Sequence, residues 1–342
     1  MKKKTLDRVN MFILISIGII VFLVAMVAIQ YFRIWSKQHV QGNLKEQREY
    51  QYHCAFITSE FEDPFWDSVY AGAKAGGDSG NIYVEDYGKG LSLSYSMDDL
   101  IEMAIAAKVD AIMLHGNQTV ATTELIDKAI GQGIVVVTVF KDDVNSKRCS
   151  FVGISNYTMG YNLCAKAARY IPTGQGEIMA LFEGEDKTPE EIVTEGMMKY
   201  LKEHESEIKL NNQIINSDET YTAEEEIRAL LRNAGTRPDV LICTTLIQTQ
   251  CAYQAVVDLN CVGEVKIIGF YSTQSILEAV QKGVMQATYV VDTEEMGKRA
   301  IDSVKEYLEN GYGSDYIQVK AKMIDENGAE ELLEKMREEV KP

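Results

Sequence analysis

Residues 53–77 read HCAFITSEFEDPFWDSVYAGAKAGG. The stretch opens as a continuous apolar run, which suits a strand buried on both faces. It then breaks at Glu62-Asp63-Pro64 and resumes with Phe65 and Val69 spaced as on one face of a helix. Pro64 fits the first helical position, and Asp63 can cap the helix it opens. A strand feeding a helix is therefore predicted, with two acids and two large aromatics at the join. In parallel α/β sheets, ligands sit outside the carboxyl ends of the strands, at joins of this kind. Asp63 can equally be only a cap, and Phe65 only core. Trp66 fits neither role, because helical spacing turns it away from the stripe of Phe65 and Val69.

The same alternation continues along the chain. Short apolar runs at 54–58, 81–85, 111–115, 134–140, 150–154, 177–182, 240–245, 266–270 and 287–291 are separated by segments with apolar residues three and four apart, such as Ile101, Ala104 and Ile105. This pattern predicts parallel sheets with helices on both faces, joined by right-handed crossovers. It holds too many β/α units for one ordinary open sheet, so two lobes are expected. Capping boxes are read at Thr188 with Glu191, Thr222 with Glu225, and Asp292 with Glu295, and helix ends at Gly133 and Gly283.

Upstream of this pattern, no charged residue stands between Val9 and Phe32. An apolar helix of about 20 residues spans the bilayer. Lys2, Lys3, Lys4 and Arg8 precede the run, which places the short tail in the cytoplasm and the rest outside. The run is longer than a signal peptide's apolar region, and Met26 stands before Ala28 where a small residue is wanted for cleavage. An uncleaved, single-pass anchor at 11–32 is expected, after a tail at 1–10 and before a polar stalk at 33–51.

The formal charge of -17 excludes a nucleic-acid partner, which needs a cationic surface. Cys54, Cys149, Cys164, Cys243, Cys251 and Cys261 form no CxxC pair, so neither a metal nor a redox site is expected. Cys54, Cys164 and Cys243 lie in apolar runs as small hydrophobes, while Cys251 and Cys261 could pair. An enzyme is not expected, and neither is a cofactor. The chain has no Gly-x-Ser-x-Gly elbow and no Gly-x-Gly-x-x-Gly after the first strand; Gly88-Lys89-Gly90 reads as an ordinary turn and Asp142-Asp143 as a solvated loop.

EDPFWDSVYAGAKAGG, AAKVDAIMLHG, IDKAIGQGIVVVTVF, FVGISNYTMGYNLCAKAARYI, GEIMALFEG and EVKIIGFYSTQSILEAVQKGVMQATYVVD follow one another in an order that resembles the type I periplasmic solute-binding proteins, the ribose- and galactose-binding family. Lactose-repressor-type regulators share this ligand fold but carry a DNA-binding segment where this chain has its apolar run. The resemblance covers residues 52–320 and implies two Rossmann-like lobes with parallel sheets, joined by a three-strand hinge. By that pattern the first lobe takes 52–154 plus 293–319 and the second 155–292 plus 320–342. The crossings fall near Ser155-Asn156, Val291-Asp292 and Gln318 to Lys322.

The family's ligand positions carry over with many changes. The first-loop asparagine becomes Asp63, with Phe65 and Trp66 retained as the aromatic neighbours. The polar residue after the third strand becomes His115, close to Asn117. An Asp-Arg pair becomes Phe140-Lys141, its acid lost or moved to Asp142. Glu191, Thr245 and Tyr271 replace an arginine, an asparagine and an aspartate, and a late glutamine falls on Val291, beside Asp292. Flat apolar faces and hydrogen-bonding side chains together are what sugar recognition needs. The resemblance implies a neutral sugar, with an aminosugar as alternative because of Asp63, Glu191 and Asp292. The implied partner is the permease of an ABC-type sugar importer; the alternative is a membrane sensor kinase that reads ligand occupancy.

Overall fold

The computed structural model describes residues 50–58, 63–91, 93, 95–183, 187–215 and 220–339. The tail expected at 1–10, the anchor expected at 11–32, all but the last two residues of the stalk expected at 33–51, and Glu62, lie outside these residues. No helix among the described residues is long and apolar enough to cross a membrane.

The strands are β1 (Tyr52–Ile57), β2 (Ile82–Asp86), β3 (Ala111–Leu114), β4 (Val135–Val139), β5 (Ser150–Gly153), β6 (Glu177–Glu183), β7 (Lys209–Ile215), β8 (Val240–Cys243), β9 (Lys266–Phe270), β10 (Ala287–Val291), β11 (Tyr316–Gln318) and β12 (Ala321–Ile324). Between them run α1 (Pro64–Gly80), α2 (Met97–Ala107), α3 (Val120–Gly131), α4 (Asn156–Ala168), α5 (Lys187–Glu203), α6 (Thr220–Arg232), α7 (Leu246–Asp258), α8 (Gln274–Gln281), α9 (Thr293–Asn310) and α10 (Glu326–Glu339). They build two six-stranded sheets, ordered β11-β5-β4-β3-β1-β2 and β12-β10-β9-β8-β6-β7. Neighbouring strands are parallel throughout, except that β12 runs antiparallel to β10. The chain is an α/β protein with two parallel-sheet lobes. It passes between the sheets after β5, after β10, and again between β11 and β12.

The apolar runs become strands because both faces are covered: Ala111 to Leu114 and Val240 to Cys243 are wholly buried. After β10 the chain returns to the first lobe as α9, which lies directly on α1. A Cβ on Gly297 would stand 1.9 Å from the Val69 carbonyl oxygen, so only glycine permits this approach. Strand β7 escaped the sequence reading because Lys209-Leu210-Asn211-Asn212-Gln213 has neither an apolar run nor strict alternation. All seven of its residues nonetheless pair in register with β6.

Several local expectations change. Thr188 and Thr222 lie inside α5 and α6 rather than ahead of them, since those helices begin at Lys187 and Thr220. Asp292 does cap α9, accepting from the Glu295 amide at 3.1 Å. A full capping box occurs instead at Ser96 and Asp99, ahead of α2. Cys251 and Cys261 are not joined, and no disulfide occurs among the described residues. Asp142-Asp143 is not a solvated loop. Arg148 grips Asp142 with Nε at 2.5 Å and Nη2 at 2.7 Å, and Asp143 is fully buried against Thr123 Oγ1 at 2.8 Å.

Candidate functional site

The carboxyl ends of the two sheets meet in a cluster of rings. Asp63 caps α1, its Oδ1 accepting from the Phe65 amide at 2.7 Å, and so sets Phe65 and Trp66 in the first turn. Both rings are buried, at 4% exposure. Trp66 does not turn away from the Phe65 and Val69 stripe: the three belong to one apolar core, because Phe56, His115 and Phe140 of the same lobe pack around the Trp66 ring. Phe65 lies 4.6 Å from Phe140 in its own lobe and 5.4 Å from Tyr271 in the other, centroid to centroid. Phe270 completes the contact, 5.9 Å from Phe140 and 6.4 Å from Phe65.

Two of these aromatics sit in strained backbone. Phe140, just past β4, has φ +64° and Tyr271, just past β9, has φ +72°. The Lys141 amide donates to the Val139 carbonyl at 2.7 Å across Phe140, a tight three-residue turn. Tyr271 is held by its amide, which donates to the Tyr289 carbonyl at 2.8 Å, and by its carbonyl, which accepts from Thr288 Oγ1 at 2.6 Å. A left-handed, bulky residue costs on the order of 1–3 kcal/mol and persists only where its surroundings over-determine it.

His115 follows β3 and stacks on Trp66 at 4.9 Å. It is 5% exposed, and its Nδ1 has no hydrogen-bond partner. Burial, and secondarily the nearby Lys141 ammonium, push its pKa down to about 3, so the ring is neutral at physiological pH. Across the cleft, Gln248 in the first turn of α7 is wholly buried; its Oε1 accepts from the Thr244 amide at 3.1 Å, and its Nε2 is unpartnered.

Among the described residues, Tyr271 and Lys141 make polar ties between the lobes. The Tyr271 hydroxyl donates to the Pro64 carbonyl at 3.0 Å. Burial raises the pKa of that phenol, with hydrogen bonding to Thr293 acting against the rise. Lys141 Nζ lies 3.5 Å from Glu183 Oε2 at the end of β6.

The residues singled out from the sequence thus divide. Phe65, Trp66, His115, Phe140 and Tyr271 are in ring contact, with Asp63 and Lys141 beside them. Asn117 turns to its own loop, accepting from the Thr119 amide at 3.1 Å. Thr245 caps α7, and Asp292 is an exposed cap of α9. Glu191 is exposed and lines an open groove with Tyr157, Met198 and Asn212. Sequence reasoning missed Phe270, Gln248 and Glu183. The signal for Glu183 was its place one residue past the apolar run of β6; Gln248 is one polar residue in a helix and gave none.

A family model described as a periplasmic binding protein domain matches residues 54–312. The chain belongs to the periplasmic binding protein family. That family binds solutes rather than transforming them, in keeping with the expected binder. Among solved structures, the XylFII–LytSN complex is 26% identical, with a TM-score of 0.70 over 81% of this chain and 98% of that one. GanP, a glucose-galactose binding protein from Geobacillus stearothermophilus, is 22% identical with a TM-score of 0.72 over 81% and 98%. An ABC transporter periplasmic solute-binding protein from Actinobacillus succinogenes, solved with D-allose, is 20% identical with a TM-score of 0.70 over 82% and 100%. No curated protein matches the chain. This periplasmic binding protein shares the fold of these structural neighbours.

Proposed function

We propose that this chain is an extracytoplasmic solute-binding protein that closes its two lobes on a small neutral sugar and delivers it to an ABC-type sugar importer. The observation that carries the reading is the ring cluster, contributed by both lobes at the strand ends, around the unpartnered Nδ1 of a neutral His115. Rings offer faces for C–H stacking, and a neutral imidazole offers one hydrogen bond to a hydroxyl. Of the three carboxylates that favour an aminosugar, only Asp63 adjoins the cluster; Asp292 caps a helix and Glu191 lines the outer groove. Charge on the ligand is therefore disfavoured. We assign ligand contact to Phe65, Trp66, His115, Phe140, Lys141 and Tyr271, with hinge motion at the three passages between the sheets.

Calorimetric titration with neutral pentoses and hexoses, an aminosugar and a sugar phosphate tests this. Binding of a neutral member is expected; binding only of charged members would sink the reading. Closure creates a surface present only in the bound state, which a membrane partner can prefer. A second reading, that this partner is a sensor kinase, is favoured by one observation: XylFII was solved in a complex with LytSN. Deleting the gene abolishes uptake of the cognate sugar under the first reading and leaves uptake intact under the second. The anchor at 11–32 is part of either proposal, and resistance of the full chain to alkaline extraction from membranes is its check.

A further inference from the structure

The two sheets have four edges, and three are blunted in the ways that prevent strands from pairing with other molecules. Strand β11 has three residues, β12 has four with Lys322 among them, and β2 has five ending in Glu85-Asp86. Short length and charge are the usual protections of an open edge. Strand β7 has neither. It runs for seven residues, all paired with β6 on one side, and no strand among the described residues pairs with its other side. It contains no proline, and its one charge, Lys209, stands at its first position.

Its sequence is also self-complementary. In an antiparallel pairing of two copies centred on Asn212, Leu210 lies opposite Ile214 and Asn211 opposite Gln213. Asn212 faces its twin. In these inner pairs apolar meets apolar and amide meets amide, which are favourable cross-strand pairs, while the outermost pairs set Lys209 opposite Ile215; a two-fold interface must be self-complementary over its centre in this sense. Asn211, Asn212 and Gln213 are exposed and Ile214 is 42% exposed, although Asn212 Nδ2 already donates to Thr194 Oγ1 at 2.7 Å and Asn211 Nδ2 to Glu177 Oε1 at 2.9 Å. Beside the strand, the open groove lined by Asn212, Tyr157 and Met198 offers further apolar surface, Met198 being 60% exposed.

We propose that two copies of this chain associate through β7, joining their second-lobe sheets into one continuous sheet. The surface lies outside the ring cluster, so association and ligand binding are separate properties. A contact of one strand and one groove is small, and its affinity falls at the weak end, on the order of micromolar.

The test uses the full chain in mild detergent. Opposed residues in an antiparallel pair have Cβ atoms about 4.5–5.5 Å apart, close enough for a disulfide after slight adjustment. Asn212→Cys is expected to give a disulfide-linked dimer on mild oxidation, whereas Tyr83→Cys, at an exposed position of the β2 edge, gives none; both variants carry the native thiols, so these cancel. Asn212→Lys sets two cations opposite each other and is expected to weaken dimerisation at least tenfold by sedimentation equilibrium, with an unchanged melting temperature. Equal cross-linking at positions 212 and 83, or identical sedimentation of wild type and Asn212→Lys, overturns the proposal.

Discussion

Phe140 and Tyr271 hold the same place in the two sheets, one just past β4 and the other just past β9, and both are bent into left-handed backbone. What they do there differs. Phe140 packs with Phe65 and Trp66 and extends the apolar floor of the first lobe. Tyr271 adds a hydroxyl that leaves its own lobe and reaches the Pro64 carbonyl in the other. The same topological position thus supplies packing on one side and a directional tie on the other. Packing within a lobe governs stability, whereas a contact between lobes governs how firmly they close.

The largest expected effect is on the packing side. Trp66→Ala removes a buried ring that touches Phe56, Phe65, Phe140 and His115. A cost of about 3–5 kcal/mol is expected, measured by denaturant unfolding of the purified protein. A loss below about 1 kcal/mol would place Trp66 at the surface and break the contrast between the lobes.

His115 sharpens the comparison through pH. Its pKa falls from the ordinary 6.5 to about 3 in the folded protein. Between those values the unfolded chain binds a proton that the folded chain refuses, so the folded state loses stability as pH falls below about 6.5. The loss approaches about 1.4 kcal/mol per pH unit until the folded ring also titrates. His115→Gln cannot titrate, so its stability relative to wild type is expected to rise as pH is lowered from 6.5 towards 3 and to stay constant above 7. Parallel pH profiles for the two proteins would show that His115 is solvated.

How much of this was legible in the sequence follows from the kind of signal each feature leaves. Strands buried on both faces write long apolar runs, so β1, β3, β4, β8 and β9 could be read directly, and with them the joins where a ligand site belongs. Strand β7 is covered on neither face as fully and leaves no such run. At the site, the first strand-to-helix join pointed to Phe65 and Trp66, and the family resemblance pointed to His115, Phe140 and Tyr271, which do meet. The resemblance also pointed to Thr245 and Asp292, whose side chains are taken up by the helices they begin. A cap and a ligand contact draw on the same residue types in the same places, and sequence carries no mark that separates them. Asp142 and Asp143 were misread for a related reason: their partners, Arg148 and Thr123, are brought to them only by the fold.

The smallest effect concerns the tie itself. Tyr271→Phe keeps the ring, its packing on Phe65 and the backbone of the turn, and deletes the hydroxyl with its hydrogen bonds to the Pro64 carbonyl and to the Thr293 side chain. In the closed form the Pro64 carbonyl then lacks this partner, at a net cost of about 0.5–1.5 kcal/mol; in an open form water replaces it. The loss therefore falls on closure and not on folding of either lobe. Ligand affinity is expected to weaken about 3- to 10-fold through faster dissociation, with little change in the association rate, by stopped-flow or surface-binding kinetics. Salt separates this tie from the other one. The Lys141–Glu183 pair, with both side chains about one-third exposed, contributes little and is screened by salt, whereas a neutral hydroxyl-to-carbonyl bond is not. A dissociation rate that rises steeply with ionic strength in wild type, and is unaltered by Tyr271→Phe, would transfer the tie from Tyr271 to the ion pair.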